Sequence, residues 1–583
     1  MKKILLLFLF FSYSLFTLSA QSWLWARQGK NHTTQNEGDA IAIDNLHNAC
    51  FTGTFSNDTL VLATDTLLIK GPSRQAFLQK YDENGNLLWA RTSESKTKSG
   101  DGTSPLGTNS VGLATDFYNN IYITGNFWDT EYFQSSVLEN QYNALVYVTK
   151  YDANGNVKWA QQCTRARGRG NVNCGQGLVC DKSGNVYVTG YFGDTVSFGS
   201  YTLKTQNIGT FLVKYDSNGN VIWAKQSNSS NYYNLSHFIT IDKLGYIYIS
   251  GCFQNTIIFG TQTLTSPSLY DSYIVKYDSN GNVIWARQST HTGSRSYAEG
   301  YGICTDKENN IYTTGFINDS VKFGATTLIS ARNQYYSIYW AKYDSRGNAL
   351  WAKQSYDLDL MEWDGWSINV DTSENLYLTG FRNTVLYSNA KVVFDMDTLK
   401  QNDAGNLFLF IKMDSSGTVL NGYLFQSIPG YGVVQPLAVD SSGCFVYYGG
   451  TVDTSVVFGN DTVGTSVNPK PNEVNYPFIA RWSDGECLIT TGNKTRESPN
   501  FRINLYPNPN SGIFTLVCRS ERSEESLLLE IYNVLGEKVL TEPLPSAQGD
   551  NRIDIINKPN GIYLYRVTNL QGNLISSGKF IIR

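Results

Sequence analysis

A hairpin carrying tryptophan returns every 62 to 70 residues, a strand ending in Thr-Gly or a close variant keeps step with it, and four alternating apolar–polar segments fill each period. Together these predict an all-β chain: a seven-bladed β-propeller followed by a small immunoglobulin-like β-sandwich. The hairpin reads Lys80-Tyr81-Asp82-Glu83-Asn84-Gly85-Asn86 with Trp89, and it recurs at Lys150 with Trp159, Lys214 with Trp223, Lys276 with Trp285 and Lys342 with Trp351. Its Asn-Gly centre predicts a tight turn with glycine at positive φ, and its Asp predicts a side chain bonded to the turn backbone. The second signature appears seven times: Phe51-Thr52-Gly53, Ile123-Thr124-Gly125, Val188-Thr189-Gly190, Ile249-Ser250-Gly251, Thr313-Thr314-Gly315, Leu378-Thr379-Gly380 and Tyr448-Gly449-Gly450.

Taken in order, residues 1–20 have the pattern of a secretory signal. Lys2 and Lys3 precede an apolar run from Ile4 to Leu18, and Leu18-Ser19-Ala20 offers a cleavage site before Gln21. No cysteine follows that site, which argues against a lipid anchor, and no later stretch predicts a transmembrane span. The repeats occupy 21–489. They begin with a lone fourth strand, Trp23-Leu24-Trp25-Ala26-Arg27-Gln28, expected to complete the last blade and close the ring. In the third repeat the four strands read Gly177 to Asp181, Val186 to Phe192, Phe211 to Asp216 and Val221 to Gln226. The tryptophan of each fourth strand is expected to fill the gap between neighbouring blades. An added hairpin, as at Thr195 to Leu203, lies between the second and third strands. Residues 490–502 are a polar linker, and 503–583 form the second domain.

Composition narrows the function. Charged residues make up 16% and the net charge is −4 over 583 residues, so no field favours nucleic acid. Nine cysteines show no metal spacing; Cys163 and Cys174 bracket one loop of an exported chain and are expected to form a disulfide. The four histidines (32, 47, 237 and 291) form no His-x-x-x-His pair, and Asp-x-Asn-Gly-Asn lacks the sixth-position glycine and twelfth-position glutamate of a calcium loop. No metal, cofactor or catalytic residue is therefore read from the sequence.

The tight turns share one face, while the long, unlike connections gather on the other. That face carries Arg165, Arg167 and Arg169, Tyr232 and Tyr233, Arg295, Tyr297 and Tyr301, and Glu362, Trp363, Asp364 and Trp366. Aromatic planes beside arginine and carboxylates suit a glycan or protein ligand. The alternative is a polysaccharide-degrading enzyme, a lyase or glycosidase, on the same face; a third reading is a structural repeat without a small ligand.

The strand pair Asp181 to Gly190 and the Lys-Tyr-Asp hairpin resemble the seven-bladed propeller repeats of secreted bacterial surface proteins. The C-terminal residues Tyr506-Pro507-Asn508-Pro509 with Gly512, then Gly536, then Gly561 and Tyr563, resemble the type A sorting domain of the type IX secretion system. That resemblance implies recognition by the outer-membrane secretion machinery and a secreted or surface location outside the outer membrane of a Gram-negative bacterium.

Overall fold

The computed structural model describes residues 22–483 and 501–582 apart from the longer connections, chief among them 30–35, 97–107, 166–172, 230–232, 292–295, 331–335, 358–362, 383–389, 428–435 and 464–475. The described residues are strand and turn, without helix, and none of them forms a helix long and apolar enough to cross a membrane. Residues Gln21–Asp484 form one compact unit; Gly485–Arg583 belong to another.

Within the first unit, successive antiparallel sheets of four strands follow one another along the chain in the manner of a propeller. Their innermost strands are Glu37–Ile43, Asn109–Thr115, Cys174–Cys180, Asn234–Ile241, Tyr297–Thr305, Trp363–Val370 and Leu437–Val439, and the sheets are numbered 1 to 7 in that order. The second and third strands, such as Ile121–Phe127 and Leu145–Tyr151, are buried at every residue because a neighbouring sheet covers each face. The fourth position of sheet 7 is taken by Ser22–Gln28, whose Ser22 lies opposite Ser483 and Gln28 opposite Phe478.

The repeated tryptophan has a definite job. Its indole Nε1 donates to a carbonyl in the Asp-x-Asn-Gly turn of the next sheet: Trp25 to Glu83 at 3.0 Å, Trp89 to Ala153 and Trp159 to Ser217 at 3.1 Å, Trp223 to Ser279 and Trp285 to Ser345 at 3.3 Å. The repeated lysine reaches the same carbonyls, as Lys80 to Ala153 and Lys276 to Ser345. Each turn glycine answers two demands. Gly347, for one, stands at φ +82, and a Cβ there would lie 3.0 Å from the Trp285 ring. The turn Asp holds the loop by accepting two backbone N–H bonds and one side-chain amide, as Asp278 does from Asn280 and Asn282.

The added hairpins stitch neighbours together. Thr130–Phe133 pairs with Glu94–Lys96, which continues the outer edge of the preceding sheet; 257–259 pair likewise with 227–229, and 321–322 with Thr290–His291. The glutamine three residues after the tryptophan fastens the hairpin of its own sheet: Gln288 accepts from Thr265 N at 3.0 Å and donates to Thr265 O at 2.9 Å.

The expected Cys163–Cys174 bridge is not formed; both are buried thiols. The Cys163 sulfur accepts from Val146 N, whereas Cys174 begins an innermost strand opposite Tyr191, so the two serve different strands. Cys444 is disulfide-bonded instead.

In the second unit a three-stranded sheet (Phe501–Tyr506, Ile513–Ser520, Gly549–Asp554) and a four-stranded sheet (Lys538–Leu544, Leu527–Asn533, Gly561–Asn569, Leu574–Ile582) share a core of Phe514, Leu516, Leu529, Ile531, Ile553 and Val567. Tyr506 and Gly561 lie in strands, and buried Tyr563 donates from its hydroxyl to Pro559 O at 2.8 Å. Pro507, Asn508, Pro509, Gly512 and Gly536 lie outside the described residues.

Candidate functional site

The innermost strands of all the propeller sheets enclose a cavity of about 400 Å³. Most of its wall is apolar (Ala40, Leu113, Leu178, Ile239, Ile303, Ile368), but the end away from the tight turns is polar and aromatic. The cause lies in the Thr-Gly signature. A Cβ on Gly53, Gly125, Gly190, Gly251 or Gly315 would fall 1.9–2.0 Å from the carbonyl oxygen of Glu37, Asn109, Cys174, Leu235 or Glu299 respectively. Glycine therefore admits a carbonyl of the innermost strand over its Cα, and two residues later that strand bulges.

The unpaired bulge residues are Asp39, Val111, Gln176, His237, Tyr301 with Gly302, and Trp366. Asp39, Val111, Gln176, His237 and Trp366 line the cavity. A bulge re-aims one side chain, and here sheets 1 to 6 each carry one at the same level. The residue before each bulge is small because the preceding sheet presses on it. A Cβ on Gly175 would meet Thr124 Oγ1 at 2.3 Å and one on Gly365 would meet Thr314 Oγ1 at 2.4 Å; Ser110 instead bonds Thr52 at 2.8 Å.

Sheets 4 to 6 supply the densest chemistry. The Tyr301 ring lies 4.6 Å from that of His237 and stacks on Trp366 at 4.6 Å with a 27° interplanar angle. Gly302 permits this approach, since a Cβ there would sit 2.9 Å from Trp366 O. Behind His237, the Glu299 Oε1 accepts from Tyr233 Oη at 3.2 Å and Cys252 Sγ at 3.3 Å, and lies 3.5 Å from His237 Nε2. Burial pushes the Glu299 carboxyl up, but bonds from His237, Cys252 and Tyr233 and the histidine's charge outweigh it, leaving the group below the ordinary glutamate range. Burial also raises the Tyr301 hydroxyl, reinforced by Glu299 and Asp364. On sheet 1, burial followed by repulsion from Glu37 holds Asp39 well above the usual carboxylate range, against the pull of Arg74. The Trp366 Nε1 is buried with no hydrogen-bond partner among the described residues, a donor left for something else to satisfy.

Of the residues expected to bind, Tyr233, Tyr297, Tyr301 and Trp366 are brought into one aromatic wall. Tyr233 stacks on Tyr270 at 4.9 Å, and Tyr297, itself buried, packs on Tyr270 at 4.6 Å. Arg165 and Trp363 lie in strands whose side chains are not described there, and Arg167, Arg169, Tyr232, Arg295 and Glu362 lie outside the described residues. Sequence reasoning passed over Asp39, Gln176, His237, Cys252 and Glu299. A signal for the first three was present: a glycine or serine followed by one residue that differs in every repeat.

Residues 504–583 match the secretion system C-terminal sorting domain, so the chain carries a type IX sorting tail and is a secreted or cell-surface protein. The chain is 27% identical over 426 residues to an uncharacterized WD repeat-containing protein, L264, of Acanthamoeba polyphaga mimivirus, covering 59% of this chain and 29% of that relative's length. A protein of unknown function from Dyadobacter fermentans matches 79% of this chain and 97% of its own at 7% identity and a TM-score of 0.35. A gluconolactonase from Xanthomonas campestris, XC5397, matches 62% and 94% at 10% identity and a TM-score of 0.27. Dimeric latent PorU of Porphyromonas gingivalis matches 68% and 34% at 12% identity and a TM-score of 0.13.

Proposed function

We propose that this chain, exported through its type IX sorting tail, is a surface or secreted binding protein that holds a carbohydrate at the polar end of its axial cavity. The observation that carries the reading is the set of bulge residues, chemically different from sheet to sheet, of which Asp39, Val111, Gln176, His237 and Trp366 line one cavity. A cavity near 400 Å³ is within the range that encloses a small ligand, and an aromatic plane with a few convergent polar groups is the composition such sites use. The Tyr301–Trp366 stack offers a flat apolar face to a sugar ring. Gln176 and Asp39 offer polar atoms to hydroxyls. Asp39, whose carboxyl burial and the neighbouring Glu37 hold above the usual carboxylate range, faces the same space.

One arrangement favours the second reading, an extracellular lyase or glycosidase. His237 lies 3.5 Å from the Glu299 carboxylate, the kind of partner that orients a histidine base, and the Tyr301 ring packs beside it. Incubating the full mature chain with a polysaccharide and oligosaccharide panel separates the two. Retention of a saccharide without new reducing ends or unsaturated products supports binding. Products that vanish in Tyr301→Phe establish catalysis, and a panel with neither retention nor products refutes both readings.

A further inference from the structure

We propose that His237, Cys252 and Glu299 form a divalent-metal site, suited to zinc, in the wall behind the cavity mouth. The three donors come from the innermost strand of sheet 4, its second strand (Ile247–Phe253) and the innermost strand of sheet 5. Their ligand atoms all lie within 4.8 Å of one another. The individual separations are 3.5 Å from Nε2 to Oε1, 3.9 Å from Nε2 to Sγ and 3.3 Å from Sγ to Oε1.

Tetrahedral zinc with ordinary bond lengths to nitrogen, sulfur and oxygen requires edges of about 3.3, 3.6 and 3.5 Å for the same three pairs. The side chains thus stand within about 0.3 Å of a zinc face before any metal enters. Imidazole, thiolate and carboxylate together form a borderline-soft donor set that prefers zinc to calcium or magnesium.

Charge also fits. A thiolate and a carboxylate neutralise a dication, so the site is neutral overall where Cys252 and Glu299 are 0% and 4% exposed. Binding breaks the Cys252 S–H bond, releases that proton to solvent and forms the metal–sulfur bond, with no change of oxidation state.

The outer partners are in place: Tyr233 donates to the carboxylate, and the Leu235 backbone N–H reaches the Cys252 sulfur. Three protein donors leave a fourth position for water or for a group entering through the cavity that His237 lines.

The test is a cobalt titration of the full mature chain after dialysis against a chelator. One equivalent of Co²⁺ should produce a sulfur-to-cobalt charge-transfer band with intense visible bands of four-coordinate cobalt, and zinc should displace it. Cys252→Ser should remove the charge-transfer band and weaken zinc binding at least about 100-fold, since loss of an outer partner alone costs 10–100-fold. Glu299→Gln, which still accepts from Tyr233, should keep the band but weaken binding about 10-fold or more. His47→Gln, at the exposed histidine paired with Asp440, should change nothing. A wild-type chain that takes up no stoichiometric cobalt, or a charge-transfer band that survives Cys252→Ser, overturns the assignment. If Cys252→Ser does not fold, full zinc affinity in Glu299→Gln overturns it equally.

Discussion

Trp285→Ala and Gly347→Ala, made singly and together, test how consecutive sheets are docked. Trp285 is 6% exposed and its ring covers the turn glycine of the next sheet. Truncating a buried tryptophan costs about 3–5 kcal/mol. The lost indole bond adds little, because Lys276 Nζ still donates to Ser345 O at 3.1 Å. In the wild-type background Gly347→Ala incurs two penalties. A non-glycine residue at φ +82 costs about 1–2 kcal/mol. A Cβ 3.0 Å from the ring adds an overpacking term of about 1–3 kcal/mol. With the ring gone, the first remains, and of the second only the contact of the Cβ with Arg287 Nε at 3.1 Å, the movable end of a long side chain. The double mutant should therefore be about 1–3 kcal/mol more stable than the sum of the single changes implies. Unfolding entropy of about 2 cal/mol/K per residue gives roughly 1 kcal/mol/K for a unit of this length, so Trp285→Ala should lower Tm by about 4 °C. The assay is chemical denaturation of the mature chain followed by fluorescence and circular dichroism. Additivity of the two changes to within about 0.5 kcal/mol would show that tryptophan and glycine do not meet.

Two further outcomes follow from the same contacts. The turn carboxyls of Asp82, Asp152, Asp216, Asp278, Asp344 and Asp414 are pushed up by burial, but turn hydrogen bonds outweigh this and leave each below the ordinary aspartate range. A lowered folded pKa contributes stability that is present above the unfolded value, about 3.9, and lost as pH falls through the folded values. The propeller should thus lose Tm steeply below about pH 4, and Asp278→Asn should shallow that fall; a Tm unchanged from pH 5 to pH 3 would contradict it. A chain ending at Asn500 lacks the sorting tail and should accumulate folded in the periplasm, so immunodetection of normal amounts at the cell surface would refute the tail's role.

The all-β class and propeller-like plan were legible because packing repeats. Each tryptophan meets the same carbonyl and each turn glycine the same ring, so the sequence carries those contacts as a period. The candidate site was legible only in part. Tyr301 and Trp366 stood out as aromatics on the variable face, yet what aims Trp366 is a bulge, and a bulge breaks the alternation by which strand faces are read. Asp39, Gln176 and His237 were hidden for that reason. Cys252 and Glu299 were hidden for another: each sits in an apolar strand context, and they meet only because sheets 4 and 5 pack face to face. The disulfide expected between Cys163 and Cys174 rested on their bracketing one loop of an exported chain, whereas each thiol is committed to a different strand.

The central claim is that the bulge ring binds a saccharide, and its most direct test is calorimetric titration of the mature chain with the saccharide retained from the panel. Wild type should bind at one site per chain. Trp366→Ala, which removes the stacking face and its unpaired N–H, should weaken the Kd by about 30-fold, the equivalent of roughly 2 kcal/mol for truncating a central aromatic. Gln176→Ala should weaken it less, while Trp285→Ala, far from the mouth in its role, should leave the Kd alone. Equal affinity in wild type and Trp366→Ala would place the ligand elsewhere and contradict the account.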